Sequence, residues 1–163
     1  LLRSEGEGDL TQDKSWLIRK LMIEKGGEIV NEYPFLGVGP NNFKLYKAEL
    51  SSFKNYNRLH GIGKHHFEAG TSAHNTYLQV ITEFGILGAI CYLLLLIRPL
   101  YYLARLFIRS NLTLESAILV SLFGISIHFY TIANLTGALP WFIIGLSWAL
   151  IHVNKLRTGK QWN

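Results

Sequence analysis

His74–Gly88 reads HNTYLQVITEFGILG, and the chain continues AICYLLLLI to Ile97. From Thr76 to Ile97 the only charged side chain is Glu83. A stretch of this length and composition is close to the roughly 20 residues that cross a hydrocarbon core of about 30 Å as a helix. The reading decides the fold class, because a helix satisfies its own backbone hydrogen bonds where no water is available. It also draws attention to its first two residues. A histidine and an asparagine stand where a polar loop enters this apolar helix, and ionisable groups at such boundaries are costly enough to suggest a function.

Working outward toward the C-terminus, two further apolar stretches follow, at about 114–133 and 135–153, each again near the ~20 residues of a span. Pro140 sits near the start of the last one. The stretch between the first two, 98–113, carries Arg98, Arg105 and Arg109, and the tail after Val153 carries Lys155, Arg157 and Lys160. Short basic loops stay in the cytoplasm. The first span therefore runs outside to inside, the third ends inside, and residues 1–75 and the 134–139 turn are expected outside. The predicted organisation is an extracytoplasmic (periplasmic) helical loop region, residues 1–75, then transmembrane helices over 76–153 and a cytoplasmic tail, 154–163. The fold class is an all-α, polytopic membrane protein with about three transmembrane helices.

The overall balance agrees with this division. The chain has 163 residues, 49% of them hydrophobic, and a net charge of +5; its mean hydropathy is +0.19. Residues 1–73 hold ten Lys/Arg and nine Asp/Glu, so the basic excess lies beside the apolar runs. That placement argues for membrane orientation over nucleic-acid binding, and no basic-aromatic nucleic-acid motif occurs. Cys91 is the single cysteine, which excludes a disulfide framework. Met22 is the only methionine, so Leu1 is not an initiation site. The chain is expected to be the C-terminal portion of a longer protein, cut at a loop or domain boundary.

In the polar half, Ser15–Lys25 has apolar residues at four-residue spacing (Leu17 with Leu21, Ile18 with Met22), which predicts a short helix. Gly26 and Gly27 are expected to end or break it. Tyr33–Pro40, YPFLGVGP, holds two prolines and two glycines and predicts a turn. Asn41 or Asn42 is placed to cap a further helix with Phe43, Tyr46, Leu50 and Phe53 on one face. Residues 57–72 read as a loop.

The candidate site is built on His74 and Asn75. The free N–H groups and dipole at a helix start favour anions, and an imidazole there can serve as proton acceptor. The plain alternative is a helix-capping histidine at the interface. Arg19 offers a guanidinium, suited to gripping a diphosphate in bidentate fashion; otherwise it belongs to the solvated face of an amphipathic helix. The run PFLGVGPNNF, with Gly37 and Gly39, could bring backbone N–H groups to a phosphate. It lacks GxGxxG spacing, however, and a structural turn is the better reading. His60, His65, His66 and His74 fall within fifteen residues but fit no helical ligand spacing, so no metal is assigned. His128 and His152 are unspecific. Glu83, about two turns into the first span, could orient His74, pair with Arg58 or Lys64, or lie near the headgroups.

Two of these runs resemble a known family. YPFLGVGPNNF resembles the "hPllGvGpgnF" segment of the O-antigen ligase and O-antigen polymerase superfamily. HNTYLQVITEFGILG is similar to its signature: a histidine, then Asn, Ser or Gln, nine residues, Gly, two residues, then Gly, Thr or Tyr. Here these are His74, Asn75, Gly85 and Gly88. Arg19, fifteen residues before Pro34, also stands where the family commonly has an arginine. The resemblance spans about residues 15–153 and departs at Gly26–Gly27, in a helix that is usually unbroken. It implies a multi-pass, metal-independent glycosyltransferase of the bacterial inner membrane that needs no cofactor. Such an enzyme takes a glycan from an undecaprenyl-diphosphate carrier. It passes it to lipid A-core, to another lipid-linked glycan or to a related acceptor, in lipopolysaccharide and other surface polysaccharide biosynthesis of the cell envelope. By the same resemblance His74 would contact or activate the reacting groups and Arg19 would hold the diphosphate; these two are the expected catalytic residues, and Asn75, Gly37, Gly39 and Glu83 are the candidate substrate-binding residues. The rival reading is a non-catalytic membrane transport or assembly subunit whose outer loop binds glycan through Tyr46, Phe53 and Tyr56.

Overall fold

The computed structural model describes residues 6–46, 72–109, 113–133 and 135–159. Among them the chain is all helical: α1 (Gly6–Glu32), α2 (Thr76–Arg109), α3 (Thr113–Thr131) and α4 (Ala138–Thr158). Three stretches are long and apolar enough to cross a membrane, Thr76–Ile108, Leu114–Thr131 and Ala138–Arg157. They pack through narrow stripes. On α2 the buried side is Tyr92, Leu96, Pro99 and Leu103, spaced at helical intervals, while Ile86, Leu87, Ile90, Leu94 and Ile97 stay exposed. Leu122 and Phe129 of α3 and Ile144 of α4 complete this cluster. Helices with so much apolar surface left outside the bundle suit a solvent of lipid, where hydrocarbon outside is no penalty.

The first span is longer than its apolar run suggests. α2 continues beyond Ile97, through Pro99, to Arg109. A proline inside a helix has no N–H to give the carbonyl four residues back. Here that carbonyl belongs to Leu95, and the indole N–H of Trp148 on α4 donates to it at 3.1 Å. The proline thus leaves an acceptor open inside the apolar layer, and a neighbouring helix fills it.

α1 differs from its sequence reading in the opposite sense. It runs 27 residues, straight through Gly26 and Gly27, where a break was expected. Gly26 is needed for contact, since a Cβ there would lie 2.5 Å from a Leu78 methyl of α2. The buried face of α1 is Leu21, Met22, Lys25, Gly26 and Ile29, one helical stripe. Leu21, Met22 and Ile29 form a second core with Phe43 and Ala73, and Leu78 packs against it. Tertiary contact along that stripe outweighs the helix cost of glycine, about 1 kcal/mol per residue.

After α1 the chain turns through Tyr33–Gly39 and a helical turn that starts at Asn42. Asn42 accepts from the Tyr46 N–H at 3.0 Å and its amide donates to the Val38 carbonyl at 2.8 Å. The rest of the expected helix, with Leu50 and Phe53, lies outside the described residues. So do Tyr56 and residues 57–71 of the expected 57–72 loop, with Arg58, Lys64, His60, His65 and His66.

α2 is bent sharply near its start. Tyr77 and Tyr92 are fifteen residues apart, about 22 Å along a straight helix axis. Their rings are 6.1 Å apart, edge to face. The fold-back occurs at Gly85, whose φ of 65° and ψ of −169° belong to no helix. Thr76–Phe84 therefore doubles back over the end of the bundle. Tyr77 meets Phe129 at 6.3 Å and donates to the Ser126 carbonyl. Thr76 donates to the Ile132 carbonyl, beside the end of α3.

Candidate functional site

The elbow at Gly85 is where the two sequence motifs meet. In an unbroken helix the carbonyls of Thr82 and Glu83 accept from the N–H groups four residues on. The bend withdraws those donors. The turn after α1 supplies others: the Val38 N–H donates to the Thr82 carbonyl at 3.0 Å and the Gly39 N–H to the Glu83 carbonyl at 2.9 Å. In return the Ile86 N–H, freed by the bend, donates to the Pro34 carbonyl at 2.9 Å. The groups released by breaking the helix are thus paired by a segment more than forty residues upstream, as buried backbone requires.

Two glycines make this approach possible. A Cβ on Gly85 would lie 2.2 Å from the Phe35 carbonyl oxygen, and one on Gly37 would lie 2.5 Å from the Thr82 carbonyl oxygen. Both have positive φ, 65° and 67°. Each glycine faces the backbone of the other's segment, so a side chain on either one would hold the two apart. The N–H of Gly37 donates to the Tyr33 carbonyl at 3.1 Å. The N–H groups of residues 37, 38 and 39 are therefore all engaged inside the chain, and the glycines act here through backbone proximity.

His74 and Asn75 stand at the far end of the doubled-back segment. Asn75 caps α2: its side-chain oxygen accepts from the Leu78 N–H at 3.1 Å and its carbonyl from the Gln79 N–H at 3.0 Å. His74 is held with φ at 50° and its side chain exposed. Histidine is among the few non-glycine residues that accept this left-handed backbone. The residue before it, Ala73, is buried in the core with Leu21, Met22 and Phe43. A buried anchor on one side and a capped helix on the other fix the turn that presents the imidazole.

Glu83 is 3% exposed, and the Gln79 amide lies 3.3–3.4 Å from its carboxylate oxygens. It stands nine residues from His74, and among the described residues no contact joins the two. Arg19 is exposed on α1, two residues before the stripe that packs against Ala73. The fold brings its helix to the His74 turn, but no described contact joins the two side chains. Glu83, Gly37 and Gly39 belong to the elbow; His74 and Asn75 belong to the cap; Arg19 reaches the site only through α1. Among the described residues no group of three His, Cys, Asp or Glu could hold a metal ion.

Lys25 was not singled out from the sequence, and neither were the carboxylate partners of Tyr46. Lys25 is 3% exposed, with its ammonium 4.9 Å from the centre of the Phe43 ring. Burial lowers its pKa, and the nearby Glu28 carboxylate offsets part of that shift. Its place four residues after Leu21 and before Ile29, on the apolar stripe, was the available signal. Tyr46 donates to Glu32 and lies 3.4 Å from Glu28, and the Glu32 bond together with burial raises its pKa. Tyr33 meets the Tyr46 ring edge-on at 6.5 Å.

No curated protein and no solved structure matches the chain. Residues 8–93, more than half of it, match the family described as O-antigen ligase, and the match takes in α1, the Tyr33–Pro40 turn, His74, the elbow and the start of the span. With three helices able to cross a membrane and both motifs meeting at one elbow, this chain belongs to the O-antigen ligase family.

Proposed function

We propose that the protein is a membrane glycosyltransferase. It moves a glycan from an undecaprenyl-diphosphate carrier to a hydroxyl of lipid A-core, of another lipid-linked glycan or of a related acceptor. The observation that carries the reading is the interlock of the two motifs. It commits two glycines and a helix break to folding back a segment whose far end presents an exposed histidine, and packing alone gives no reason for such an arrangement.

In the proposed step the acceptor oxygen attacks the anomeric carbon at the reducing end of the glycan. The bond from that carbon to the diphosphate oxygen breaks, and undecaprenyl diphosphate leaves with the electron pair. His74 accepts the proton of the acceptor hydroxyl. Arg19 clamps the departing diphosphate, where charge develops as the bond breaks. Asn75 sets the orientation of the His74 turn, while Glu83, Gly37 and Gly39 belong to the elbow that holds the platform, so positioning supplies much of the rate. The reading needs no metal and no cofactor. It places the His74 end of the helices on the outer, periplasmic face of the inner membrane, with the arginines after Ile97 and the C-terminal tail in the cytoplasm.

The test is made in the intact protein. His74→Ala and Arg19→Ala are expected to abolish glycan transfer to the cell surface while the protein still inserts in the membrane at parental amounts. Normal surface polysaccharide in both variants rules out the assigned roles.

A further inference from the structure

The interlock at Gly85 uses only backbone atoms of the incoming turn, through Pro34, Phe35, Val38 and Gly39. The side chains at its tip are left over. Phe35 is 68% exposed and Leu36 74% exposed. A large apolar pair exposed on a turn that is otherwise held rigidly calls for a partner.

Its position says which. Tyr92 of α2 is level with Phe129 of α3, at 6.0 Å, and with Trp141 of α4, at 6.3 Å. Phe129 is two residues from the end of α3 and Trp141 three residues from the start of α4. Those two spans therefore end near the level of Ala89 on α2, and Gly85 stands about 6 Å further out. A point about 6 Å beyond the ends of two spans falls in the interfacial layer that borders the acyl chains. On the same part of α2, Phe84, Ile86 and Leu87 are exposed and begin the apolar surface that the span continues. The backbone of Phe35 and Leu36 meets α2 at Gly85, so the tip lies beside the start of that apolar surface. Tyr33, 44% exposed at the tip's inner edge, suits the headgroup level, where aromatic hydroxyls are favoured.

We infer that the Tyr33–Leu36 tip is a lipid wedge: Phe35 and Leu36 enter the acyl region of the leaflet on the His74 side and fix the elbow at the membrane surface. The partner is the acyl-chain layer of the bilayer itself. The consequence is a set height for the site. With the tip anchored in lipid and Thr76 tied to the end of α3, the His74 turn is held at the interface, where a lipid-borne diphosphate lies. The inference stands on the spans and the elbow and does not depend on the transferase reading.

The experiment uses the intact protein in a cysteine-free background, Cys91→Ser included, reconstituted in phosphatidylethanolamine/phosphatidylglycerol vesicles. Spin labels are placed by Phe35→Cys and Leu36→Cys, whose side chains take no part in the dock, and by Leu94→Cys as the lipid-facing reference. Collision with oxygen, relative to a water-soluble nickel chelate, is expected to be enhanced several-fold at 35 and 36, as at 94. Free collision with the chelate at both positions puts the tip in water and overturns the inference. Collision with neither reagent puts another protein segment over it and also overturns it. A second variant, Phe35→Trp, guards against disturbance by the label. Its added fluorescence should be quenched by acyl-brominated lipid, and unquenched emission counts against the wedge.

Discussion

Gly85 meets two structural demands at once. Its backbone lies in a region that is open to glycine and closed to residues with a Cβ. The Phe35 carbonyl oxygen also lies only 2.2 Å from where a Cβ on this residue would stand. Gly85→Ala meets both obstacles, so it should cost on the order of 3 kcal/mol or more. The measurement is thermal unfolding in detergent together with loss of transfer activity; parental values for both would show that the elbow is not rigid. Gly27 is the contrasting case. It lies inside α1, and a Cβ there would meet nothing within 4 Å. Gly27→Ala should therefore stabilise α1 by about 0.5–1 kcal/mol, visible as a higher melting temperature. The sequence motif marks Gly85 and Gly88 by spacing alone. Why Gly85 must be glycine was not legible there, because the atom that forbids a side chain belongs to Phe35, fifty residues earlier.

At the level of the helices, tertiary contact overrode local signals in both directions. The pair Gly26–Gly27 is a sound local stop, yet α1 passes through it because Leu78 needs the space above Gly26. Pro99 and the arginines after Ile97 read as the end of the first span, yet α2 continues for about three more turns. Trp148 makes that continuation tolerable by donating to Leu95, the carbonyl that Pro99 leaves open. Trp148→Phe keeps the ring and removes the donor. A hydrogen bond between membrane helices is worth about 1 kcal/mol, so the loss should be of that size. It is expected in resistance to unfolding by a denaturing detergent, while a Pro99→Ala, Trp148→Phe double variant should recover most of it. A double variant as weak as the single one would mean that the indole matters for packing and not for the carbonyl. Helix existence was readable in advance; helix ends were not, since ends depend on who pairs the last backbone groups.

For the whole molecule, the orientation we propose rests on Arg98, Arg105, Arg109, Lys155 and Arg157 lying at one end of the bundle and His74 at the other. Single cysteines at Ser72 and Leu156, both exposed, test it in intact cells with a membrane-impermeant maleimide. Ser72→Cys is expected to react at once and Leu156→Cys only after the membrane is opened; the reverse pattern would place His74 in the cytosol and remove it from an outward-facing reaction. The sequence by itself determined that the chain is helical, that three stretches can span a bilayer, and that a His-Asn pair opens the first of them. Those properties are local, because a bilayer imposes a length and an apolar composition that each stretch either meets or fails. Only the tertiary structure decided that α2 doubles back, that the Pro-Gly turn completes it, and that Glu83 stands with the elbow and apart from His74. Each of these depends on backbone groups far apart in the chain finding one another, and the residues that release such groups are not the residues that pair them.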